Sequence, residues 1–405
     1  MNIVFIAHFA GSPKHGMVNA YYYLSKEWLK RGHQVSIITA GCAHTRNIQP
    51  HLTGRVTEEW IDDIRYLWLK TTQYSSTNWV GRILNILSFS YQAFFSPFQF
   101  ESIDVVICSS HHPLAIFAAE KMARKYNAKL IFEVRDIWPL TLIELSGVSR
   151  LNPFIALLQY AEDRAYKKSD KVISVLSHSY LHMQDRGMVR EKFCFIPNGF
   201  LMNKVESKSL PDGHVRRLEE MKHSDSFIVG YAGRLTLANA LQYLIEALSY
   251  TKSNIQLAIL GDGPCKSELV GLVKELGLED SVIFFDAVKK DQVPMFLEYV
   301  DVCYVGFLDK ALYRFGVSPT KLNDYMAASK PVICAINSPD STLADANCGI
   351  ECAPENSRML ARILDDLSSL DSKDLIYMGE RGFKWLSSNR DYSQLANKFL
   401  QAMRS

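Results

Sequence analysis

The stretch IQLAILGDGPCK (Ile255–Lys266) joins a short apolar run to a helical pattern through a glycine-rich turn. The run Ile255–Leu260 predicts a buried strand, and the periodicity that begins at Lys266 predicts a helix. A strand that passes directly into a helix is the repeating unit of a parallel α/β sheet. The stretch therefore predicts an α/β fold for this half of the chain.

The same alternation continues in both directions, and the apolar character of the strands suits a parallel sheet covered on both faces. Further strands are predicted at Ile3–His8, Gln34–Thr39, Asp104–Ser109, Lys129–Val134, Lys171–Val175, Lys192–Ile196, Phe227–Tyr231, Val282–Phe285, Val302–Val305 and Val332–Ala335. Helices are predicted at Met17–Lys30, Leu114–Tyr126, Phe154–Lys167, Ala240–Tyr250, Lys266–Leu276, Gln292–Val300 and Pro319–Ala328.

A chain of 405 residues exceeds what one hydrophobic core usually supports, so we expect two domains. The polar stretch Asn203–Ser226 separates the two α/β patterns and is interpreted as a hinge. The predicted domains are residues 1–202 and 203–384, and a last helical pattern, Ser393–Met403, lies in the remaining segment 385–405.

The composition is that of an ordinary globular protein, with 48% apolar and 22% charged residues. The net charge of +2 gives no field that would drive nucleic-acid binding, so no nucleic-acid partner is predicted. The eight cysteines are scattered and form no C-x-x-C, which favours free thiols in the cytoplasm. No Cys/His cluster has the spacing of zinc ligands, so no metal site is predicted.

One aromatic segment, Asn85–Phe100, complicates this picture, because Arg82 is the only charge from Thr71 to Phe100. The segment is too polar, and broken by Pro97, to span a membrane. Two interpretations stay open: an interfacial helix that contacts a membrane surface, or a core-facing helix with an exposed aromatic edge.

Two glycine-containing loops follow predicted strands of the second half. In Tyr231-Ala-Gly-Arg-Leu235, the guanidinium of Arg234 beside Gly233 suits a diphosphate, although it could be an ordinary surface arginine. Gly261 and Gly263 sit beyond the carboxyl end of the next strand, where glycine lets the backbone approach a ligand. Any tight turn could use the same glycines.

The segment Gly316-Val-Ser-Pro-Thr-Lys321 opens a predicted helix, with Ser318 as N-cap and Pro319 in the first position. A helix N-terminus binds anions through free amides, here those near Thr320, and through its dipole. Lys321 adds a full charge. One turn later, Asp324 could accept hydrogen bonds from ribose hydroxyls.

Polar side chains also follow two strands of the first half. His111 and His112 could bond sugar hydroxyls in either direction, or be satisfied loop histidines. Asp136 could orient an acceptor hydroxyl, and the structural alternative is an interaction between Arg135 and Asp136.

The order G-R-L, G-D-G-P and V-S-P-T-K-L-N-D-Y-M-A-A-S-K-P-V resembles the donor half of glycosyltransferase family 4, a retaining family of GT-B fold. The first half is similar too, in its loop glycines Gly11 and Gly16, in R-G-H-Q-V, in R-D-I-W-P (Arg135–Pro139) and in I-P-N-G (Ile196–Gly199). The R-D-I-W-P and S-P-T-K motifs further resemble N-acetylfucosamine transferases from O-antigen and capsule clusters.

The resemblance implies two Rossmann-like domains with parallel sheets facing across a cleft. The first domain would bind the acceptor, the second a UDP-sugar, and the C-terminal helix would cross back to the first domain. The family pattern implies catalytic roles for His111, His112, Asp136, Arg234 and Lys321. It implies donor contacts for Gly16, Gly233, Arg234, Gly261, Gly263, Val288, Ser318, Pro319, Thr320, Lys321 and Asp324, and acceptor contacts for Arg135 and Trp138.

The implied reaction moves a sugar such as N-acetyl-L-fucosamine to a polyprenyl-diphosphate-linked saccharide at the cytoplasmic face of the inner membrane. No D-x-D motif is present, so no metal and no other cofactor are expected. The chain departs from the family pattern at Asn239, where a lysine is usual, and at Gly316 and Asp324, which occupy the two glutamate positions of E-x7-E. Lys321 is expected to supply the lost cation. The alternatives are a nucleotide-sugar epimerase of GT-B fold and a non-catalytic nucleotide-sugar-binding subunit.

Overall fold

A computed structural model describes residues 1–17, 20–75, 78–202, 208–340 and 342–405. These residues form two compact units. The first unit contains Met1–Gly199, Phe315–Ser318 and Tyr392–Ser405, and the second contains Phe200–Arg314 and Pro319–Asp391.

The first unit is built on an eight-stranded sheet with the order β3-β4-β2-β1-β5-β6-β7-β8, counted over the described residues. The strands are β1 (Asn2–Ile6), β2 (Gln34–Ala40), β3 (Val56–Ile61), β4 (Ile64–Leu69), β5 (Val105–Ser110), β6 (Lys129–Val134), β7 (Lys171–Ser174) and β8 (Phe193–Phe195). Neighbouring strands are parallel except for the antiparallel pair β3–β4. Strand β5 is buried along its whole length, as expected when helices cover both faces.

Six helices of the first unit connect these strands within the described residues. They are α1 (Ala20–Leu29), α2 (Trp79–Phe95), α3 (Ile116–Tyr126), α4 (Leu140–Ser146), α5 (Pro153–Lys168) and α6 (Tyr180–Asp185).

The second unit repeats the plan with a parallel six-stranded sheet of order β11-β10-β9-β12-β13-β14, again for the described residues. Its strands are β9 (Phe227–Ala232), β10 (Ile255–Leu260), β11 (Val282–Phe285), β12 (Val302–Gly306), β13 (Val332–Ala335) and β14 (Gly349–Cys352). Its helices are α7 (Asp212–His223), α8 (Leu241–Leu248), α9 (Lys266–Glu275), α10 (Val293–Glu298), α11 (Thr320–Ala327), α12 (Thr342–Ala346), α13 (Ser357–Ser368) and α14 (Ser372–Asn389). One apolar core lies on each face of the sheet.

The last helix, α15 (Tyr392–Arg404), belongs to the first unit and packs on α1. The fully buried Trp28 donates its indole N–H to the carbonyl oxygen of Ala396 over 3.1 Å. Its ring meets that of Phe399 edge-on, with 5.8 Å between the centroids. A buried indole usually needs such a partner for its N–H.

The predicted α/β architecture of two parallel-sheet domains is confirmed, but the segment boundaries differ. The predicted end of the second domain at residue 384 falls inside α14, which continues to Asn389, so the division comes after Asp391. Phe315–Ser318 joins the first unit, because the amide of His178 donates to the carbonyl oxygen of Phe315 and Asn198 bonds Ser318.

The predicted hinge Asn203–Ser226 is also different from a simple linker. Its part Asn203–Ser207 lies outside the described residues. Much of the remainder is helix α7, whose Leu218 and Met221 are buried in the core of the second unit. This helix therefore belongs to the second unit.

Candidate functional site

A cavity of about 430 Å³ lies in the second unit, at the carboxyl ends of β9 and β10 and the start of α11. This is the edge of a parallel sheet at which ligands usually bind. Of the donor-site residues predicted from sequence, seven line it: Gly233, Arg234, Gly261, Val288, Thr320, Lys321 and Asp324.

Lys321 is held firmly at this cavity. Its Nζ donates to the hydroxyl of Tyr231 over 3.0 Å and to Oδ1 of Asn239 over 2.5 Å. It also lies 4.5 Å from the centroid of the Tyr231 ring. Burial lowers the pKa of Lys321 to about 8, so the ammonium is mostly charged at neutral pH and loses its proton at mildly alkaline pH. The sequence analysis missed both partners.

At position 239, where the family pattern has a lysine, Asn239 orients the side chain of Lys321. Its Nδ2 donates to the carbonyl oxygen of Arg234 over 2.9 Å and to the hydroxyl oxygen of Thr236 over 2.8 Å. These bonds fix the side-chain amide so that Oδ1 faces Lys321. A second cation at position 239 would be repelled by Lys321.

Arg234 is anchored by its backbone and exposed at its side chain. Its carbonyl oxygen accepts a hydrogen bond from the Tyr231 hydroxyl over 2.8 Å, in addition to the bond from Asn239. The guanidinium has no hydrogen-bond or ion-pair partner among residues 208–340 or the other described ranges. An unpaired guanidinium at the rim of a cavity is suited to bind a phosphate in two-point fashion.

The carboxylate of Asp324, the predicted acceptor for ribose hydroxyls, already has a cationic partner. It forms an ion pair with Lys290, which also lines the cavity. Burial raises the pKa of Asp324, and the nearby Lys290 ammonium opposes that effect. The cavity therefore holds a third cationic group, Lys290, which sequence analysis missed.

The glycines of the two loops are required by the packing of one loop against the other. A Cβ at Gly261 would lie 1.9 Å from the carbonyl oxygen of Gly233, and one at Gly263 would lie 2.2 Å from that of Leu235. The amide of Leu235 also donates to the carbonyl oxygen of Asp262 over 2.9 Å. Gly263 does not line the cavity, so the loop contact accounts for it without a ligand.

Three other predicted donor residues also stand outside the cavity lining: Gly16, Ser318 and Pro319. The prediction of Ser318 as N-cap is wrong, because α11 begins at Thr320 with Pro319 as its cap residue. The Ser318 hydroxyl instead accepts from the backbone amide of Asn198 over 3.1 Å. Gly16 ends a 3₁₀ turn in the first unit with φ of 66°, a conformation that favours glycine.

The first unit carries a second polar cluster, at the carboxyl ends of the neighbouring strands β1, β5 and β6. His111 is half-buried, with Nε2 3.4 Å from the Tyr21 hydroxyl. His112 is only 1% exposed, and its Nε2 lies 2.7 Å from Nδ1 of His8. Burial lowers the pKa of both His111 and His112 to about 3, so both rings are neutral. His111 is the histidine that a ligand can reach.

Among the described residues, Arg135 forms no hydrogen bond or ion pair with Asp136, although its charge opposes the effect of burial on the pKa of Asp136. It donates to Oε1 of Glu133 over 3.1 Å and to Oδ1 of Asn198 over 2.5 Å. The Asp136 side chain remains exposed, although desolvation by the surrounding protein raises its pKa. Trp138 is 8% exposed, which leaves little of its ring for an acceptor.

Solved structures with 16% identity share this fold over the full length of the chain. Sucrose-phosphate synthase from Thermosynechococcus elongatus gives a TM-score of 0.70, covering 100% of this chain and 98% of its own. Anabaena Alr3699/HepE in complex with UDP and glucose gives 0.65, covering 100% and 99%. WaaG, a glycosyltransferase involved in lipopolysaccharide biosynthesis, gives 0.66 over 99% of each chain. These matches show that the chain has the GT-B fold.

Family models assign each half of the chain to a known domain family. Residues 15–199 match the glycosyl transferase 4-like domain, and residues 217–385 match glycosyl transferases group 1. The chain is thus a glycosyltransferase that combines these two domains, as the resemblance in its motifs implied.

Curated relatives agree with this assignment. The chain is 23% identical over 280 residues to the probable glycosyltransferase WbjE of Pseudomonas aeruginosa, covering 67% of this chain and 68% of the relative. It is 30% identical over 118 residues to an N-acetylgalactosaminyltransferase of Campylobacter jejuni whose name gives a diphospho-undecaprenol-linked acceptor. That match covers 29% of this chain and 30% of the relative.

Proposed function

We propose that this glycosyltransferase transfers a sugar, with retention and without a metal, from a UDP-sugar to a lipid-linked saccharide in surface polysaccharide synthesis. The observation that carries the donor half of the proposal is the cavity at which Arg234, Lys321 and the start of α11 meet. Its volume of about 430 Å³ suits a small ligand.

The leaving diphosphate would be stabilised by fixed positive groups. Arg234 offers an unpaired fork of N–H donors, and Lys321 is held in place by Tyr231 and Asn239. The first amides of α11 add the positive end of the helix dipole. Charges that are already oriented stabilise the developing negative charge without reorganisation, which is the role a metal plays in other transferases.

The reacting sugar would acquire oxocarbenium character, and the acceptor hydroxyl would attack on the face that the diphosphate leaves, with the diphosphate as base. Neutral His111 can donate to or accept from a sugar hydroxyl. Asp136 and Arg135 stay our candidates for the acceptor side. His112 is enclosed by protein, so its role is indirect.

Donor and acceptor identities rest on similarity. Alr3699/HepE was solved with UDP, which supports UDP as the nucleotide. The name of the Campylobacter jejuni relative supports a polyprenyl-diphosphate acceptor, and with it the cytoplasmic face of the inner membrane. The motif resemblance to N-acetylfucosamine transferases supports an N-acetylated deoxyamino sugar such as N-acetyl-L-fucosamine.

Contact with the membrane is the remaining part of the proposal, and α2 supports it. The helix buries Asn85, Ile86, Phe89 and Ala93, as in the core-facing interpretation. Its opposite side exposes an apolar stripe that we define as Val80, Leu84, Leu87, Tyr91 and Phe95. Within the part of the chain that the structure describes, no helix combines the length and the apolar character needed to cross a bilayer.

Binding and turnover of nucleotide sugars test this function. We expect UDP and one UDP-sugar to raise the unfolding temperature, by the equivalent of about 2.7 kcal/mol at 100 times Kd. Lys321→Ala should weaken the binding of UDP. In turnover it should also remove about 2–4 kcal/mol of transition-state stabilisation. Chelators should leave turnover unchanged. A metal requirement, or conversion of the UDP-sugar in the absence of acceptor, would contradict the proposal, the latter indicating an epimerase.

A further inference from the structure

The chain passes from the first unit to the second immediately before α11. The segment Phe315–Ser318 belongs to the first unit, and the residues on either side of it belong to the second. Helix α11 begins at Thr320, and both Thr320 and Lys321 line the donor cavity. Ser318 is therefore the last residue of the first unit before the helical turn that lines this cavity.

Both ends of the segment Phe315–Ser318 are fastened inside the first unit. At one end, the carbonyl oxygen of Phe315 accepts from the backbone amide of His178 over 3.0 Å. At the other end, Asn198 bonds Ser318 twice: its backbone amide donates to the hydroxyl oxygen over 3.1 Å, and its Nδ2 donates to the carbonyl oxygen over 2.7 Å. Ser318 is thus held at its main chain and at its side chain by a single residue.

The side chain of Asn198 is oriented from its other end by Arg135. Nη2 of Arg135 donates to Oδ1 of Asn198 over 2.5 Å, while Nη1 donates to Oε1 of Glu133 over 3.1 Å. A guanidinium only donates and a carbonyl oxygen only accepts, so one orientation of the Asn198 amide serves both Arg135 and Ser318. A chain of hydrogen bonds therefore runs from Glu133 of β6 to Ser318, the residue before the cap of α11.

The buried ion pair at the start of this chain is better explained by orientation than by stability. Glu133 is 1% exposed, and its Oε2 has no hydrogen-bond partner in the described part of the chain. A buried pair of this kind adds little net stability, because the removal of both charges from water offsets their attraction. What the pair supplies is a rigid donor at Arg135 whose direction is fixed toward Asn198.

We propose that Asn198 is a positioning residue of the donor site, which holds Ser318 and thereby fixes the direction in which the first turn of α11 presents Thr320 and Lys321. This inference rests on the proposed function where it takes the ligand of that turn to be UDP. The amides of a helix N-terminus bind a phosphate when they point at it. A change in the direction of the turn therefore weakens binding, although Asn198 itself lies outside the cavity lining.

Asn198→Asp separates the two ends of the asparagine side chain. A carboxylate still accepts from Arg135, now in a charge-assisted bond, but it cannot donate to the carbonyl oxygen of Ser318 and repels it. We expect the affinity for UDP, measured by calorimetry on the full chain, to fall at least fivefold. If Asn198 served only as an acceptor for Arg135, aspartate would serve as well and the affinity would not change.

The pH dependence of UDP binding separates positioning from a general loss of structure. When the first turn of α11 moves, Lys321 loses its bonds to Tyr231 and Asn239 and gains contact with water. The pKa of Lys321 should then rise from about 8 toward its usual value. The pH above which UDP affinity falls should therefore be higher in Asn198→Asp. Destabilisation elsewhere in the chain would lower the unfolding temperature without moving this pH.

Asn152→Asp is the matched control, since it makes the same change elsewhere in the first unit. Asn152 is exposed and caps α5 by accepting from the amide of Phe154 over 2.9 Å, a role in which aspartate is equally good. Its UDP affinity and pH dependence should match those of the unsubstituted chain. Ser318→Ala removes the hydroxyl that accepts from the amide of Asn198 and should weaken UDP binding by a smaller factor. It takes the place of Asn198→Asp if that variant does not fold.

Unchanged UDP affinity in Asn198→Asp, or a loss of affinity with an unmoved pH dependence, would overturn the inference, as would an equal loss in Asn152→Asp. The proposed function fails on a different result, namely the absence of UDP binding by the unsubstituted chain. In that case hydrogen exchange over residues 320–325 decides. Faster exchange in Asn198→Asp than in Asn152→Asp supports the positioning role, and equal exchange contradicts it.

Discussion

At the residue scale, the pKa of about 8 for Lys321 makes donor binding dependent on pH. Its ammonium is charged below that value and neutral above it, so affinity for a diphosphate should be constant up to about pH 8. It should then fall toward about tenfold per pH unit. Calorimetry with UDP between pH 6.5 and 9 measures this change.

The control for this prediction is Lys321→Ala, which should bind weakly and lose the change near pH 8. Titration of UDP itself is common to both proteins and cancels in the comparison. An identical pH profile in the two proteins would show that another group is responsible.

Stability should respond in the opposite direction. Because the native state holds the Lys321 proton less tightly than the unfolded chain does, the free energy of unfolding rises as pH increases from about 8 to about 10.

The sequence identified Lys321 and Arg234 because both follow local patterns, a helix start and a strand end. It could not identify Tyr231 and Asn239 as partners of Lys321, or Lys290 as the partner of Asp324, since these contacts join residues that are 90, 82 and 34 positions apart. The buried contacts of His8 with Asn85 and with His112 were missed for the same reason: these residues are 77 and 104 positions apart in the sequence. Such contacts depend on the order of the strands in the sheet.

At the element scale, periodicity located the predicted strands to within two residues but missed the β3–β4 hairpin, β14 and the helices α4, α6, α7, α12, α13 and α14. Strand β3 contains Glu58 and Glu59 and is an edge strand, so it lacks the apolar run that marks a buried strand. Charges of that kind on an edge limit pairing with other chains. Helix α2 was seen as an aromatic segment, and only the structure shows which of its faces is covered.

The exposed stripe on α2 gives a prediction for membrane binding. Burial of apolar side chains at a lipid surface contributes about 25 cal/mol per Å², so replacing Leu84 and Leu87 by glutamate should remove most of the affinity. We expect the unsubstituted chain to float with anionic vesicles and the double variant not to float with them.

The matched control replaces Leu181 and Val189 by glutamate. Both are exposed apolar residues of the first unit that lie outside α2. That variant should float as the unsubstituted chain does. Equal flotation of all three proteins, or of none, would contradict a role for the stripe. Circular dichroism and UDP binding should be unchanged in every variant, because these side chains lie on the surface.

At the scale of the whole molecule, the two units differ from the division of the sequence into halves. The chain finishes the second unit at Asp391 and then returns to the first, where α15 covers Trp28 of α1. The fold class was predictable because alternating strands and helices repeat along the whole chain. The place of α15 was not, since an amphipathic helix carries no local mark of its partner.

Phe399→Ala should therefore destabilise the first unit although only six residues of the sequence follow Phe399. The side chain is 3% exposed and contacts the ring of Trp28, so truncation should cost about 3–5 kcal/mol. That is a large part of the stability of an ordinary domain. Thermal unfolding should begin at a lower temperature in this variant, while the affinity for UDP measured below that temperature stays the same, because the donor cavity is lined by the second unit alone. Lys398→Ala, on the exposed side of the same helix, should change neither quantity. A loss of UDP affinity in Phe399→Ala below its unfolding transition, or no loss of stability, would show that α15 does not serve the first unit in this way.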